Sequence, residues 1–307
     1  MSSISINILN YNTYDKSKVC IESCLKQLGV NFRILLIDNS STDNSFELLK
    51  SEYGDRIDYL QNGYNYGFAK GNNLGVNYAA SHKYKYSLLL NSDTELIGER
   101  LVEKLVSTME NNPGCAVVVP DIYDVTSNGL QPHNNDSFYL KLLRYFNVLP
   151  NNKIISKNLS SISEAHGSAL LVDNDRFIEV GGFPEHYFMY GEESTFSKKI
   201  LWRGYSLLWL HTGINYILHH HDKTTNVDSW RLFLMGRNRG LEFYQNRDRF
   251  NIWSIPYYLF FAKLLLTNTK NNAHYLKGLK DSRNLFSQHK SSEYIFKEGK
   301  NCKDNYS

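Results

Sequence analysis

From Ile4 to Pro120 strand-like and helix-like segments take turns, and this alternation limits the fold more than any other feature of the chain. "ISINILN" (Ile4–Asn10) alternates apolar and polar residues at the two-residue period of a strand. Residues 15–28 place Val19, Ile21, Leu25 and Leu28 at helical spacing. "FRILLID" (Phe32–Asp38) is a near-continuous apolar run, as a strand covered on both faces requires. "NSSTDNSFELL" then supplies a polar turn and several N-cap candidates ahead of an apolar helical run. Strands are predicted at Ile57–Leu60, "KYSLLLN" and "CAVVVP" (Cys115–Pro120), with helices over Gly67–Ala80 and 98–110. The pattern is that of a parallel, doubly wound sheet, in which ligands bind outside the carboxyl ends of the strands.

Three polar clusters fall at such ends: Asn10-Tyr11-Asn12, Asp38-Asn39-Ser40 and Asn91-Ser92-Asp93. One aspartate after a strand is an ordinary turn residue. Three clusters after three strands of one sheet point to a common site.

The chain's 307 residues suffice for one large α/β domain with an appendage. With 42% hydrophobic and 21% charged residues a substantial core is possible and global disorder is excluded. A net charge of +3 gives no footprint for nucleic acid, so none is expected as a partner. The 22 tyrosines and 16 phenylalanines suit polar-aromatic contact with sugars or a membrane interface. Cys20, Cys24, Cys115 and Cys302 show no zinc spacing and no disulfide framework, and read as buried or inert thiols. "MSSISINILNYN" lacks the basic region and apolar stretch of a signal peptide, so a cytoplasmic location is expected.

Residues 121–163 are polar, asparagine-rich and irregular, and read as a long insertion or flexible loop. "HGSALLVD" (His166–Asp173) returns to strand character, and "NDRFIEVGGF" reads as a short helix closed by Gly181-Gly182. "YGEESTFSKKILWRGY" is a second helix that opens on Glu192-Glu193. "YSLLWL" and "INYILHHH" look like a final strand pair, and from Asp228 the chain reads helical. "IWSIPYYLFFAKLLL" (Ile252–Leu266) is short of the ~20 apolar residues of a membrane-spanning helix. It reads as a helix packed on the core, or as one lying on the inner membrane surface with Arg231, Arg237, Arg239, Arg247 and Arg249.

His219, His220 and His221 end a strand, and strand alternation lets His219 and His221 share a face. Imidazole plus a strand-end carboxylate suits a divalent cation such as Mn²⁺ or Mg²⁺ carrying a phosphate. Glu192-Glu193 at a helix start complement the helix dipole, and such a carboxylate can also take a proton from a hydroxyl nucleophile. "GYNYGFAKGNNLG" (Gly63–Gly75) is no P-loop, although a glycine-rich helix entry can cradle phosphate. "NILNYNTYDKSK" has no glycine after the first strand, which argues against a nicotinamide-dependent oxidoreductase.

Taken together, "ILNYN", "LLIDNSSTDNS", "NYGFAKGNNLG", "LLLNSDTEL", "GSALLVDNDRFIEVGGFPEHYFMYGEES" and "ILHHH" resemble, in order, the family 2 glycosyltransferases of the GT-A fold, particularly their bacterial rhamnosyltransferase-like branch. The likeness covers about residues 4–222, with a weaker echo in "GRNRGLEFY" (Gly236–Tyr244). It implies an α/β GT-A fold with a mostly parallel central sheet flanked by helices. The catalytic domain would span 1–227, with a nucleotide-binding half (1–120) and an acceptor half (121–227), and 228–307 would form a helical C-terminal extension.

The resemblance also implies roles. Asp38 and Asn39 would contact the nucleoside, with Asn10 and Tyr11 lining the same pocket and Asn72 and Asn73 near the nucleotide. Asn91-Ser92-Asp93 stands at the family's DxD motif. Asp93 would bind the cation that bridges the diphosphate, and Asn91 would meet the ribose. His219 would be the histidine ligand, with His221 as an alternative. Glu193 would be the general base, or Glu192 in its place, because Thr195 stands where many relatives carry an aspartate. Gly167-Ser168 would border donor sugar and acceptor. The implied activity is inverting, metal-dependent transfer from dTDP-rhamnose or a UDP-hexose to a saccharide acceptor, free or lipid-linked, in bacterial surface polysaccharide synthesis. A catalytically inactive nucleotide-sugar or glycan binding protein of the same fold is the alternative.

Overall fold

The apolar runs become strands in the computed structural model, which describes residues 3–133, 138–145, 149–220, 229–245 and 270–288. The first half alternates as the sequence predicts. Strand β1 (Ile4–Asn10) is followed by α1 (Tyr14–Leu25), β2 (Phe32–Asp38), α2 (Ser45–Tyr53), β3 (Asp58–Gln61), α3 (Gly67–Ser81) and β4 (Tyr86–Asn91). Next come β5 (Thr94–Ile97), α4 (Leu101–Glu110), β6 (Cys115–Pro120), β7 (Ile122–Thr126) and β8 (Gly129–Pro132). Beyond these lie α5 (Phe138–Tyr145), β9 (Lys153–Ser156), β10 (Leu159–Ile162), β11 (Ala169–Asp173), α6 (Asn174–Glu179) and α7 (Glu192–Trp202). β12 (Ser206–Leu210), β13 (Tyr216–His219), α8 (Ser229–Gln245) and α9 (Lys270–Gln288) complete the described elements.

The chain divides into two compact units, one of Met1–Asn135, Asn152–Phe183 and Phe196–Lys223, the other of Asp136–Asn151, Pro184–Thr195 and Thr224–Ser307. In the first unit a nine-stranded sheet runs in the order β3-β2-β1-β4-β11-β6-β12-β10-β9. Only β11 and β10 oppose the other strands, so the sheet is mostly parallel. A second sheet of four strands has the order β5-β13-β7-β8.

Side-chain alternation splits the core between the faces of the large sheet. Ile4, Ile6, Ile8, Leu36, Leu88, Leu90, Val118 and Leu208 pack with Cys20 and Ile21 of α1 and Leu101 and Leu105 of α4. Leu89, Val117, Val119, Leu170, Val172 and Leu207 pack on the other face with Ala69 and Val76 of α3 and Phe196 and Ile200. Cys20, Cys24 and Cys115 are buried free thiols, as expected; Cys302 lies outside the described residues.

Two expectations need correction. Residues 121–163 are not a loop but carry β7, β8, α5, β9 and β10. Their strands are only four or five residues long, and those of β8 and β9 are exposed throughout, so no apolar period marks them. The last two strands do not pair with each other. β12 runs parallel to β6 in the large sheet, and β13 runs parallel to β7 in the small one. Asp121, the single residue between β6 and β7, holds the parting chains together. Its carboxylate accepts from Trp209 Nε1 (3.0 Å), His211 Nδ1 (3.2 Å) and Thr212 N (3.1 Å). The second crossing therefore copies the first.

In the second unit α8 packs against α9 at small residues. A Cβ at Gly236 would collide with Tyr275 O, one at Gly278 with Phe233 O, and one at Gly240 with Ser282 Oγ. The backbones approach more closely than any side chain permits. Among the described residues no helix is long and apolar enough to cross a membrane. Ile252–Leu266, Arg247 and Arg249 lie outside those residues. Arg237 is fully buried and so cannot join the membrane-facing alternative, and Arg239 is bound to Glu242 (2.7 Å).

Candidate active site

Parallel register brings the strand-end clusters level. Asn10 pairs with Asp38, and Leu9 with Asn91. Asn10 is buried at the centre of a polar network. Its Nδ2 donates to Asp38 Oδ1 (2.8 Å), Ser41 Oγ (3.0 Å) and Ser45 Oγ (3.2 Å). Its Oδ1 accepts from Thr13 Oγ1 (2.9 Å) and Ser17 Oγ (2.7 Å). Thr13 Oγ1 also lies 3.0 Å from Ser92 Oγ, so one chain of hydrogen bonds links the ends of β2, β1 and β4. Asp38 Oδ2 receives Ser41 N (3.0 Å) and fastens the turn in which Ser40 adopts φ 63°. Asn39 donates to Gly67 O (3.0 Å) and accepts from Asn62 (2.8 Å), tying β2 to the entry of α3. Tyr11 is half-buried beside this network.

Asn72 donates to Phe68 O (3.1 Å), and its buried Oδ1 makes no hydrogen bond. Asn73 is occupied with the Phe183 backbone, donating to its carbonyl (2.9 Å) and accepting from its N–H (3.0 Å). Gly167 is half-buried, and Ser168 is buried with its Oγ 2.6 Å from His166 Nδ1. The Ser168 carbonyl accepts from Asn91 N (3.0 Å), which ties this segment to the end of β4.

Asp93 and His219, distant in sequence, meet here. β13 pairs with β5 so that His219 lies opposite Thr94, and His220 N donates to Asp93 O (2.8 Å). His219 Nε2 stands 3.4 Å from Asp93 Oδ1, an ion-pair separation, and that buried oxygen makes no hydrogen bond. Burial opposes charge on both groups, but their attraction outweighs it. The Asp93 carboxyl is lowered, and the His219 imidazole is raised by Asp93 and Asp124 together. On the far side of the ring, His219 Nδ1 lies 3.1 Å from Asp124 Oδ1, whose Oδ2 lies 2.8 Å from His133 Nδ1. With Nδ1 engaged by a carboxylate, Nε2 is the nitrogen turned to Asp93, the arrangement that orients a ligating histidine. His166 lies against His133 with the rings tilted (centroids 3.7 Å apart) and meets His219 edge-on (5.8 Å). A cavity of about 250 Å³ opens beside the pair, lined by Asp15, Lys16, Val19, Asp93, Thr94 and His220. His221 lies outside the described residues.

The pair fits a shared divalent cation. Two ligands each about 2.1 Å from one ion, at angles near 90–110°, stand roughly 3.0–3.4 Å apart. Among the described residues no group of three or more His, Cys, Asp and Glu could hold an ion alone. A bound phosphate would have to complete the coordination.

Glu192 and Glu193 lie in the second unit, at the start of α7. Glu192 is buried with Oε2 unpartnered, and burial together with the adjacent Glu193 charge pushes its carboxyl well above the ordinary range. Glu193 is half-buried. Thr195 is buried, with Oγ1 3.5 Å from Tyr187 OH.

Residues 5–171 match the sequence family described as Glycosyl transferase family 2, more than half of the chain. The chain belongs to glycosyl transferase family 2. This family 2 member is 29% identical over 197 residues to the low-salt glycan biosynthesis hexosyltransferase Agl10 of Haloferax volcanii, a match spanning 64% of this chain and 61% of that protein. It is 33% identical over 93 residues to WfaP of Escherichia coli, a UDP-Glc:α-D-GlcNAc-diphosphoundecaprenol β-1,3-glucosyltransferase, over 30% of this chain and 36% of that one. The match thus spans less than two thirds of either relative's length. Among solved structures it superposes on GalNAc-T7 with UDP, GalNAc and Mn²⁺ at a TM-score of 0.57 and 14% identity, over 81% of this chain and 51% of that one. The fold is therefore GT-A.

In this family 2 chain the sequence left Asp124, His133, His166 and Lys16 unmarked. Asp124 and His133 fall in the segment read as loop, and no local pattern separates them from turn residues. Only the pairing of β13 with β7 reveals Asp124, because it sets His219 opposite Asp124.

Glu192 gives a pH test. Burial and the Glu193 charge raise its folded carboxyl well above the ordinary carboxylate range, so between the unfolded and folded values folding takes up a proton and stability falls as pH rises. Its contribution is fully present below the unfolded value and lost as pH climbs toward the folded one. Glu192→Gln should therefore match the parent near pH 4 and gain on it above, by up to about 1.4 kcal/mol per pH unit. Melting curves from pH 4 to 8 that stay parallel for the two proteins would show the carboxyl is not protonated in the fold.

Proposed function

We propose that the chain is an inverting glycosyltransferase that moves a hexose from a nucleoside diphosphate sugar to a saccharide acceptor. The observation that carries this reading is the pair Asp93–His219, set at the end of a strand beside a hydrogen-bonded network of strand ends and an open cavity. In such sheets this is the side on which nucleotides bind. Asp93 and His219 would hold Mn²⁺ or Mg²⁺, with Asp124 fixing the histidine tautomer. When bound, the cation would neutralise charge on the departing diphosphate. Lys16 lines the same cavity and would face the phosphates.

The network around Asn10, Asp38 and Asn39 would shape the nucleoside pocket by holding the strand ends level, with Tyr11 and Asn91 nearer the ligand. Asn72, Asn73, Ser92, Gly167 and Ser168 would frame its walls. Glu193 would take the proton of the acceptor hydroxyl as that oxygen attacks the anomeric carbon and the diphosphate leaves from the opposite face. This single displacement inverts the configuration and needs no covalent intermediate.

The names of WfaP and GalNAc-T7's ligand favour a UDP-hexose over dTDP-rhamnose, and WfaP's name favours a lipid-linked acceptor, which would bring the chain to the inner membrane face. The role would be in surface polysaccharide synthesis. A panel of UDP, dTDP and GDP sugars with Mn²⁺ or with EDTA tests the reading. One sugar should raise the melting temperature and release its nucleoside diphosphate only with the metal. Binding with no release under any acceptor would favour the non-catalytic alternative, and neither binding nor release would remove both.

A further inference from the structure

Tyr190 and Gly191, immediately before the Glu192-Glu193 pair, both have left-handed backbones, with φ of 73° and 92°. Glycine adopts this conformation freely, but for tyrosine it costs about 1 kcal/mol or more. Something must hold it. Asn238 of α8 does so from within the same unit: its Nδ2 donates to Met189 O (2.7 Å) and to Tyr190 O (2.8 Å). The amide cannot turn over, because Oδ1 accepts from Arg237 Nε (3.1 Å) and Nη2 (3.0 Å). Arg237 and Asn238 are both buried. One residue further on, Gly191 O accepts from Thr195 N (3.1 Å) and so begins the hydrogen-bond ladder of α7. The clamp thus fixes the two peptide units that lead into the helix, and Glu192 and Glu193 are its first residues.

We propose that Asn238 is a positioning residue for the carboxylate that accepts the hydroxyl proton: it locks the Met189–Gly191 turn and thereby aims Glu193. The inference rests on the reading of Glu193 as base. It gives "GRNRGLEFY" a function, since Arg237 orients the amide and Asn238 holds the turn. The chemistry is directional, requiring an NH₂ toward two carbonyls and an oxygen toward a guanidinium, and asparagine supplies both in one plane. Aspartate has the same shape and keeps the Arg237 contacts, but it sets an oxygen against two carbonyl oxygens.

Asn238→Asp is the test. Turnover is read as UDP release from UDP-glucose with Mn²⁺, or from whichever panel sugar is released fastest. The kcat should fall roughly 10- to 100-fold, as misplacement of a reacting group does, with donor KM within threefold of the parent. In a Glu193→Gln background the same substitution should change kcat less than twofold, because the group it aims is already gone. A purely structural role would instead lower both backgrounds by the same factor, and that result overturns the proposal, as does an Asn238→Asp enzyme within threefold of the parent. If Asn238→Asp does not fold, Asn238→Ser is read in the same way. If Glu193→Gln turns over like the parent, the assignment of the base fails, and the clamp stands or falls on whether the Asn238→Asp loss vanishes in a Glu192→Gln background.

Discussion

Glu193→Gln is expected to lower kcat by roughly 10²- to 10⁴-fold, the usual loss when a general base is removed, while donor affinity and melting temperature stay near those of the parent. The substitution keeps size and hydrogen-bonding shape and removes only the ability to take a proton. Glu193 carries this expectation rather than Glu192 for a physical reason. Glu192 is buried with an unpartnered oxygen, and burial and the neighbouring charge raise its carboxyl and so disfavour the ionised form that accepts a proton. Glu193 is only partly buried in the first turn of α7, where the helix dipole favours negative charge. Steady-state nucleoside diphosphate release, paired with donor binding by calorimetry, separates the outcomes. Should Glu193→Gln keep more than a tenth of the turnover while Glu192→Gln loses it, the two residues exchange roles. If neither loses it, the base lies elsewhere.

Much of this site was legible because strand ends write their own signature. "FRILLI" followed by Asp38-Asn39, and "SLLLN" followed by Ser92-Asp93, are apolar runs cut off by residues that turn the chain. The flush register of β1, β2 and β4 then makes neighbours of the polar groups. What local pattern does not encode is pairing between segments far apart. β13 was recognisable as a strand, but its place between β5 and β7 depends on the Asp121 corner, and Asp124 acquires meaning only there. The same holds for Asn238. In the sequence it is a polar residue in a helix, and its partners are two carbonyls about fifty positions away. The residues of the nucleotide-side clusters are also more structural than their motif suggests. Asn10 and Asp38 spend their hydrogen-bonding capacity on each other and on Ser41, Ser45, Thr13 and Ser17, so they shape the pocket by holding its floor.

Asp93→Asn should weaken Mn²⁺ binding at least 100-fold and lower turnover at a fixed metal concentration by a similar factor, in line with the several kcal/mol a cation contributes in such sites. The side chain keeps its volume, so the loss reads charge and not packing. In the parent, Asp93 Oδ1 is a buried oxygen with no hydrogen bond, 3.4 Å from an imidazole nitrogen whose ring is anchored behind by Asp124. A carboxylate kept in that state is poised for a positive partner. A carboxamide there offers one weak neutral oxygen, or turns its NH₂ toward His219 Nε2 and blocks it. His219 would also lose one of the two acids that raise its pKa and keep only Asp124. Mn²⁺ titration followed by electron paramagnetic resonance, with a saturating nucleoside diphosphate and no sugar donor or acceptor, supplies the phosphate the site needs and reads it independently of turnover. An Asp93→Asn protein that binds Mn²⁺ as the parent does would mean the cation is held elsewhere, and Asp93 and His219 would then be a structural ion pair joining the end of β4 to β13.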